Sequence, residues 1–136
     1  LEKTKVSKTV SNNLKSKSRK KYTLKSVEAF ANVSGDHNPI HLKEDFAKTT
    51  RFKKRIVHGM FVASQISSDI ANILIGPGAI YISQSLKFKK PVYIDDTIET
   101  SLEVVSIKNK VHTIICKCKN QNNVLVLEGT AVILKE

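Results

Sequence analysis

The spacing of apolar residues changes at the segment GPG, residues 76–78, and this change limits the folds open to the chain. In residues 60–74, apolar side chains follow helical spacing and also occupy the other faces, a pattern typical of a buried helix. Glycine and proline end that helix, and no lysine and hydroxyl follow at phosphate-loop spacing, so we interpret GPG as a turn. From Ala79 the period becomes two, which predicts a strand. Its alternating apolar residues are Ile80, Ile82, Leu86 and Phe88.

Three further runs have the composition of strands, at about residues 97–107, 111–119 and 124–134, with turn signals in IDD, KNK and NQNN. One more strand is predicted near residues 18–23, and a short helix at residues 42–49 precedes the polar loop TTRFKKR. Connections this short join antiparallel strands. The sequence therefore predicts an α+β fold in which an antiparallel sheet wraps around one buried helix.

The length of the chain, 136 residues, fits one domain. A domain of this size often completes its site with a partner subunit, so oligomerisation is open. Cys116 and Cys118 are separated by one residue and would share a strand face without forming a crosslink, which indicates a reducing compartment. No apolar run approaches a membrane span and the first residues lack the apolar region of a secretory signal. We therefore expect a soluble, cytoplasmic protein with no membrane partner.

The chain is strongly basic, with 23 lysines and arginines against 12 acidic residues and a net charge of +11. Many of these cations precede Tyr22, and we interpret residues 1–16 as a solvated, flexible arm and residues 17–136 as the folded domain. The charge suits polyanions: nucleic acid, an anionic membrane, an acidic carrier protein or a ligand with several phosphates. Nucleic acid is disfavoured, because no aromatic residue is interleaved with the cations before Tyr22.

The segment VSGDHNPIH concentrates residues that suit neither a helix interior nor a strand. An amphipathic helix over SVEAFANVS is predicted to end at Gly35. Asn38 is a favourable cap for a new turn that has Pro39 at its first helical position. Asp36 and His41 are five positions apart across this turn, so we expect both side chains to converge on one site.

Three motifs resemble, in order and at matching intervals, those of the MaoC-like hydratases: VSGDHNPIH, RIVHGM and GAIYISQSLKFKKPVY. The likeness runs from about Tyr22 to the C-terminus and is to the (R)-specific enoyl-CoA hydratases of the hotdog fold. It implies an antiparallel sheet wrapped around a long central helix, a homodimer, an acyl-CoA substrate, and chemistry without a metal or organic cofactor. One departure is Asp95 in YIDDT, a turn where the family commonly has glycine.

Hydration of a double bond conjugated to a thioester needs a water deprotonated for attack at C3 and a proton for C2, so an acid and a base must hold one water. The resemblance implies that Asp36 and His41 are this catalytic pair. It also implies that Asn38 and Pro39 shape the turn, with Asn38 among the substrate-binding residues. His37 matches a variable position of the family and is expected to be peripheral. Taken alone, Asp36 is typical of a cap and His41 of a hydrogen-bonded residue in a first helical turn.

Gly59 follows His58 at the start of the predicted buried helix, where unpaired N–H groups and the helix dipole favour negative charge. The resemblance implies that the Gly59 N–H stabilises the enolate oxygen of the thioester, a role compatible with close packing of a glycine there. It further implies that Ser67 lines the site, binds substrate and supports the catalytic pair. The alternative for Ser67 is a buried serine bonded to the preceding turn. We interpret His58 as a structural residue at the end of a loop.

A zinc site deserves consideration because His112, Cys116 and Cys118 would share one face of a strand. The set lacks a second ligand pair at zinc spacing, so we predict no metal and interpret the cysteines as small buried residues.

The function predicted from the resemblance is reversible syn addition of water to trans-2-enoyl-CoA, giving (R)-3-hydroxyacyl-CoA. Two enzymatic alternatives are a 3-hydroxyacyl carrier-protein dehydratase and a hotdog acyl-CoA thioesterase. A noncatalytic acyl-binding or nucleic-acid-binding module is a third, for which retention of Asp36, His41 and Gly59 would have no purpose.

Overall fold

A computed structural model describes residues 14–136 of the chain, and the α+β fold predicted from the sequence is confirmed. One antiparallel sheet has the strand order β1-β4-β5-β6-β2, with the short β3 also paired to β6. The strands are β1 (Lys15–Lys21), β2 (Ile80–Gln84), β3 (Lys87–Phe88), β4 (Thr97–Lys108), β5 (Val111–Lys119) and β6 (Leu125–Leu134). The helices are α1 (Leu24–Ser34), α2 (Pro39–Leu42), α3 (Glu44–Lys48), α4 (Gly59–Asp69) and the π-helical α5 (Ile70–Leu74).

The α4 helix and its continuation α5 pack against the sheet and share its hydrophobic core. Ile66, Ile70 and Leu74 are at most 2% exposed and belong to the same core as the buried side chains of β4, β5 and β6. The predicted single α-helix is wrong in one respect, because the backbone widens to a π-turn at Ile70, where the Ile75 and Gly76 N–H groups both donate to its carbonyl. Gly76 then adopts a positive φ of 105°, which ends the helix as predicted. Over residues 14–136, no helix combines the length and apolarity needed to cross a membrane.

The strand predicted after GPG is divided in two by a close backbone approach. Gly129 of β6 lies so near the chain that a Cβ there would be 1.9 Å from the Ser85 carbonyl oxygen. Ser85 still pairs with Thr130, donating its N–H to the Thr130 carbonyl at 2.9 Å. The β2 and β3 segments therefore form one interrupted edge of the sheet. The apolar residues on this edge are strongly exposed, at 55% for Ile80, 55% for Ile82 and 52% for Phe88.

The first strand begins earlier than predicted. Lys15, rather than a residue near Ser18, opens β1, and Leu14 before it is only 4% exposed. Residues 14–16 therefore belong to the fold and not to the predicted arm, whose other residues, 1–13, lie outside the described part of the chain. The strand predicted at residues 111–119 is confirmed at those bounds, and β4 and β6 differ from their predictions by a residue at one end.

The two cysteines lie on one face of β5, as predicted. Both are fully buried free thiols, and burial raises the pKa of each to about 11. Cys118 contacts the Thr100 hydroxyl at 3.6 Å. His112 lies toward the other end of the strand, where its Nδ1 is 3.3 Å from the Lys110 carbonyl oxygen. The three residues considered for zinc are not gathered into one cluster.

Candidate active site

The loop that carries Asp36 is fixed by local hydrogen bonds. Gly35 ends α1 in the left-handed conformation, with φ 81°, which glycine adopts without strain. One oxygen of the Asp36 carboxylate, Oδ1, accepts the Asn38 N–H at 3.2 Å, and Asn38 Oδ1 in turn accepts the Ile40 N–H at 3.2 Å. Asn38 thereby caps α2, and Pro39 occupies its first helical position. The turn predicted from the sequence is confirmed, and it leaves Oδ2 of Asp36 without a bond to any described residue.

His41 is held in one orientation by the backbone. The residue is 8% exposed, and its Nδ1 lies 2.8 Å from the Ile56 carbonyl oxygen. Because a carbonyl can only accept, Nδ1 carries the hydrogen, and Nε2 of the neutral ring presents a lone pair. Burial lowers the pKa of His41 below its ordinary value, and His58 adds to this, while the Ile56 carbonyl and Asp36 oppose it. His41 is therefore a neutral base near pH 7.

His58 is a site residue that the sequence interpretation assigned only to structure. The residue is 2% exposed, its Nε2–H donates to the Asp36 carbonyl at 3.0 Å, and its ring stacks on that of His41 with centroids 3.8 Å apart. The imidazole thus joins the Asp36 loop, the His41 turn and the start of α4. Nδ1 of His58 is buried without a hydrogen-bond partner in residues 14–136. The available sequence signal was its position directly before Gly59.

One carboxylate and two imidazoles therefore share a small volume. Asp36, His41 and His58 each offer a ligand atom within 4.8 Å of those of the other two. Such a set can hold a water by hydrogen bonds, and its donor types also suit a divalent metal. Within residues 14–136 no other group of three or more such side chains is brought this close.

Gly59 opens α4 beside this cluster. The Phe61 and Val62 N–H groups both donate to the His58 carbonyl, at 3.0 Å and 3.2 Å, whereas the Gly59 N–H has no hydrogen bond to a described residue. A Cβ on Gly59 would lie 2.6 Å from Cε1 of Phe88, so a ring also packs closely over this position. The free donor and the close packing expected from the sequence are both present.

A cavity of about 400 Å³ opens over these groups. Asp36, His41, His58 and Gly59 line part of it, and the apolar walls can accommodate a hydrocarbon chain. Those walls come from Val57, Met60, Val62, Phe88, Pro91, Val92, Val126 and Leu127. Three exposed cations, Arg51, Lys89 and Lys90, also belong to the lining, and we refer to them as the basic rim.

Two of the predicted site residues lie outside the cavity lining in this single chain. Ser67 is on α4, two turns beyond Gly59, and its side chain is exposed. Asn38 is also exposed, and its side-chain oxygen is used for the α2 cap. The structure therefore brings Asp36, His41 and Gly59 together in the cavity lining, which does not include Ser67 or Asn38.

Comparison with known proteins shows the family to which the chain belongs. The family model described as "MaoC like domain" matches residues 5–125. The chain belongs to the MaoC-like domain family. It is 38% identical over 121 residues to the (R)-specific enoyl-CoA hydratase of Aeromonas caviae, covering 88% of this chain and 90% of that protein. It is 44% identical over 110 residues to the (R)-specific enoyl-CoA hydratase of Rhodospirillum rubrum, covering 79% and 76%.

The solved structures extend the agreement to the fold of the MaoC-like protein. The structure of the (R)-hydratase from A. caviae superimposes with a TM-score of 0.90 at 35% identity, covering 96% of this chain and 100% of that one. The predicted hotdog fold, with its sheet around the central helix, is confirmed.

Proposed function

We propose that this MaoC-like protein is an (R)-specific enoyl-CoA hydratase, a hydro-lyase that adds water reversibly to trans-2-enoyl-CoA. The observation that carries the proposal is the meeting of a neutral His41 and the Asp36 carboxylate in an apolar cavity beside the free Gly59 N–H. The activity named for the similar proteins of A. caviae and R. rubrum supports it.

The chemistry follows from the atoms that are free. Nε2 of His41 and Oδ2 of Asp36 can both accept hydrogen bonds from one water placed between them. As the water oxygen bonds to C3 of the enoyl group, one of its protons passes to this pair, and a proton from the pair is delivered to C2. The π electrons of the double bond move first toward the thioester oxygen and then into the new C2–H bond. Acid and base groups placed in this way typically contribute about 100-fold to 10,000-fold in rate.

The Gly59 N–H is proposed to stabilise the enolate oxygen formed during this step. It lies in the first turn of α4, where the helix dipole adds to the effect of an unpaired donor. Removal of a comparable donor in other enzymes costs about 100-fold to 1,000-fold in kcat. Binding of the thioester carbonyl here would place C2 and C3 over the catalytic pair.

A homodimer formed through the β2 and β3 edge is the assembly we propose. In the described part of the chain β2 pairs only with β6, and its other edge carries the exposed Ile80 and Ile82. An unpaired edge offers backbone N–H and C=O groups to a second copy about a twofold axis, and the exposed apolar side chains of the same strand would be covered by that pairing. Light scattering after gel filtration should give twice the chain mass, whereas Ile82→Asp should give a monomer.

We also propose that the reaction needs no metal and no organic cofactor and that the protein acts in the cytoplasm. Side chains and one backbone donor supply every step above, and the two buried thiols suit a reducing compartment. Activity should survive chelators, and elemental analysis should find no stoichiometric metal. Stoichiometric zinc with chelator-sensitive activity would instead assign Asp36, His41 and His58 as ligands.

Crotonyl-CoA tests the proposed reaction directly. The purified protein should lower the enoyl absorbance to an equilibrium value without releasing free thiol, and the reverse reaction should generate that absorbance from (R)-3-hydroxybutyryl-CoA. Release of CoA would identify a thioesterase. Turnover of crotonyl-acyl carrier protein far above that of crotonyl-CoA would identify a carrier-protein dehydratase. The absence of any reaction with either thioester would favour a noncatalytic module.

A further inference from the structure

The positive charge at the cavity is concentrated where solvent reaches it. Arg51, Lys89 and Lys90 are exposed, whereas His41 and His58 are buried in the same cavity. The basic rim therefore lies outward of the proposed chemistry. Among the described residues that line the cavity, Asp36 is the one carboxylate, and the nearby Glu128 lies outside the lining.

Two of the three rim cations are available for an anion. Lys89 forms an ion pair with Glu128, at 3.7 Å. Arg51 and Lys90 form no ion pair with any described residue. Neither cation has a carboxylate partner among the described residues, so an anionic ligand at the cavity mouth would meet two positive charges that are not already paired.

Hydrogen bonds hold the backbone segments that carry Arg51 and Lys90. The Lys89 and Lys90 N–H groups donate to the Val126 carbonyl of β6, at 2.8 Å and 3.3 Å. Arg51 lies in a turn closed by neighbouring residues, and its guanidinium sits over the Phe52 ring at 5.0 Å. The backbone positions of both cations are therefore held beside the cavity, while their exposed side chains remain open to a ligand.

We infer that Arg51 and Lys90 bind the phosphates of the CoA carrier while the thioester lies at Asp36, His41 and Gly59. The inference rests on the proposed function, and it names the residues that would favour CoA over a carrier protein. A guanidinium binds phosphate through paired hydrogen bonds, and an ammonium binds it as a point charge, so the two together suit a diphosphate or a ribose phosphate. A free CoA thioester carries both groups, whereas a carrier protein attaches its acyl arm through a single phosphodiester.

A pair of substrates separates phosphate binding from chemistry. Crotonyl-CoA and crotonyl-N-acetylcysteamine have the same reacting thioester, but the second has no phosphate. In Arg51→Gln and in Lys90→Gln, KM for crotonyl-CoA should rise by about fivefold to twentyfold, with kcat nearly unchanged. The value of kcat/KM for crotonyl-N-acetylcysteamine should stay the same. A higher salt concentration should raise KM for crotonyl-CoA more in the wild type than in the double variant that carries Arg51→Gln and Lys90→Gln.

Lys87→Gln is the matched control, because Lys87 is an exposed lysine of β3 that lies outside the cavity lining. It should leave KM for both substrates unchanged. Equal losses with both substrates in Arg51→Gln or Lys90→Gln would overturn the inference, as would an unchanged KM for crotonyl-CoA. A loss confined to crotonyl-acyl carrier protein would also overturn it and indicate an acidic protein partner.

Failure of the proposed function would look different, since the wild type would then hydrate neither thioester. Calorimetric titration with CoA still decides the inference in that case. The two substitutions should weaken CoA binding by the same fivefold to twentyfold, about the effect of one charge-assisted contact each, and Lys87→Gln should not. Unchanged CoA affinity in both variants would refute the basic rim as a phosphate site.

Discussion

Replacement of Asp36 with Asn is the perturbation that separates chemistry from structure most cleanly. The asparagine side-chain oxygen can still accept the Asn38 N–H that Asp36 Oδ1 accepts at 3.2 Å. The hydrogen bond from the His58 side chain is accepted by the backbone carbonyl of residue 36, so the substitution leaves it in place. The free energy of unfolding should therefore change by less than about 0.5 kcal/mol, as for other exposed sites. The substitution removes the carboxylate that completes the acid-base pair, so kcat should fall by about 100-fold to 10,000-fold, or about 3 to 5 kcal/mol in the barrier.

The assay is the rate of loss of enoyl absorbance with crotonyl-CoA, measured across pH beside urea unfolding of the same samples. Asp36 raises the pKa of His41, so its neutralisation should move the acidic limb of the residual activity to lower pH. Asp45→Asn, which neutralises an exposed acid in the first turn of α3, serves as the control and should retain wild-type activity. A pure, folded Asp36→Asn protein with kcat within about tenfold of wild type would refute the acid-base assignment.

Three further results are expected. His41→Gln should lose at least about 100-fold in kcat, whereas His37→Gln should stay within about twofold, because His37 is exposed and, among the described residues, bonds to Gly35 and Asn32. The pKa of His41 is lower in the folded protein than in the unfolded chain, so its contribution to stability should be complete above about pH 6.5 and be lost as pH falls through the folded-state pKa. Urea unfolding at a series of pH values should therefore show a smaller loss of stability on acidification for His41→Gln than for the wild type. Asp95 has a φ of 75°, so Asp95→Val should destabilise the protein by about 1 to 2 kcal/mol in urea and Asp95→Gly should not.

Local patterns predicted the elements of this fold well where one face of each element is buried. The change of period at GPG separated the helix from the strands, and the bounds of β5 were predicted without error. The break between β2 and β3 was not predictable, because it depends on a contact between Ser85 and Gly129, which are far apart in sequence. The exposure of Ile80 and Ile82 was equally hidden, since alternation indicates a strand and not which side of it is covered.

At the site, the Asp36 turn was predictable because capping chemistry is local, and the motif resemblance identified His41 and Gly59. Asp95 replaces the glycine that the family commonly has at this turn, yet the turn keeps its left-handed backbone conformation, because Asp tolerates that conformation better than most residues do. The contact of His58 with both Asp36 and His41 could not be predicted, since it needs three separate segments to meet. The role predicted for Ser67 is unsupported by the single chain, where it is exposed.

The chirality of the hydration product is the most direct test of the proposal that Asp36 and His41 add water to one face of the enoyl group. If Asp36 and His41 hold one water on one face of the enoyl group, with the thioester oxygen at Gly59, both new bonds form on that face and the addition is syn. We expect (R)-3-hydroxybutyryl-CoA from crotonyl-CoA, so an R-specific dehydrogenase should oxidise the product and an S-specific 3-hydroxyacyl-CoA dehydrogenase should form no NADH. Rapid NADH formation by the S-specific enzyme would contradict the proposed geometry of this site.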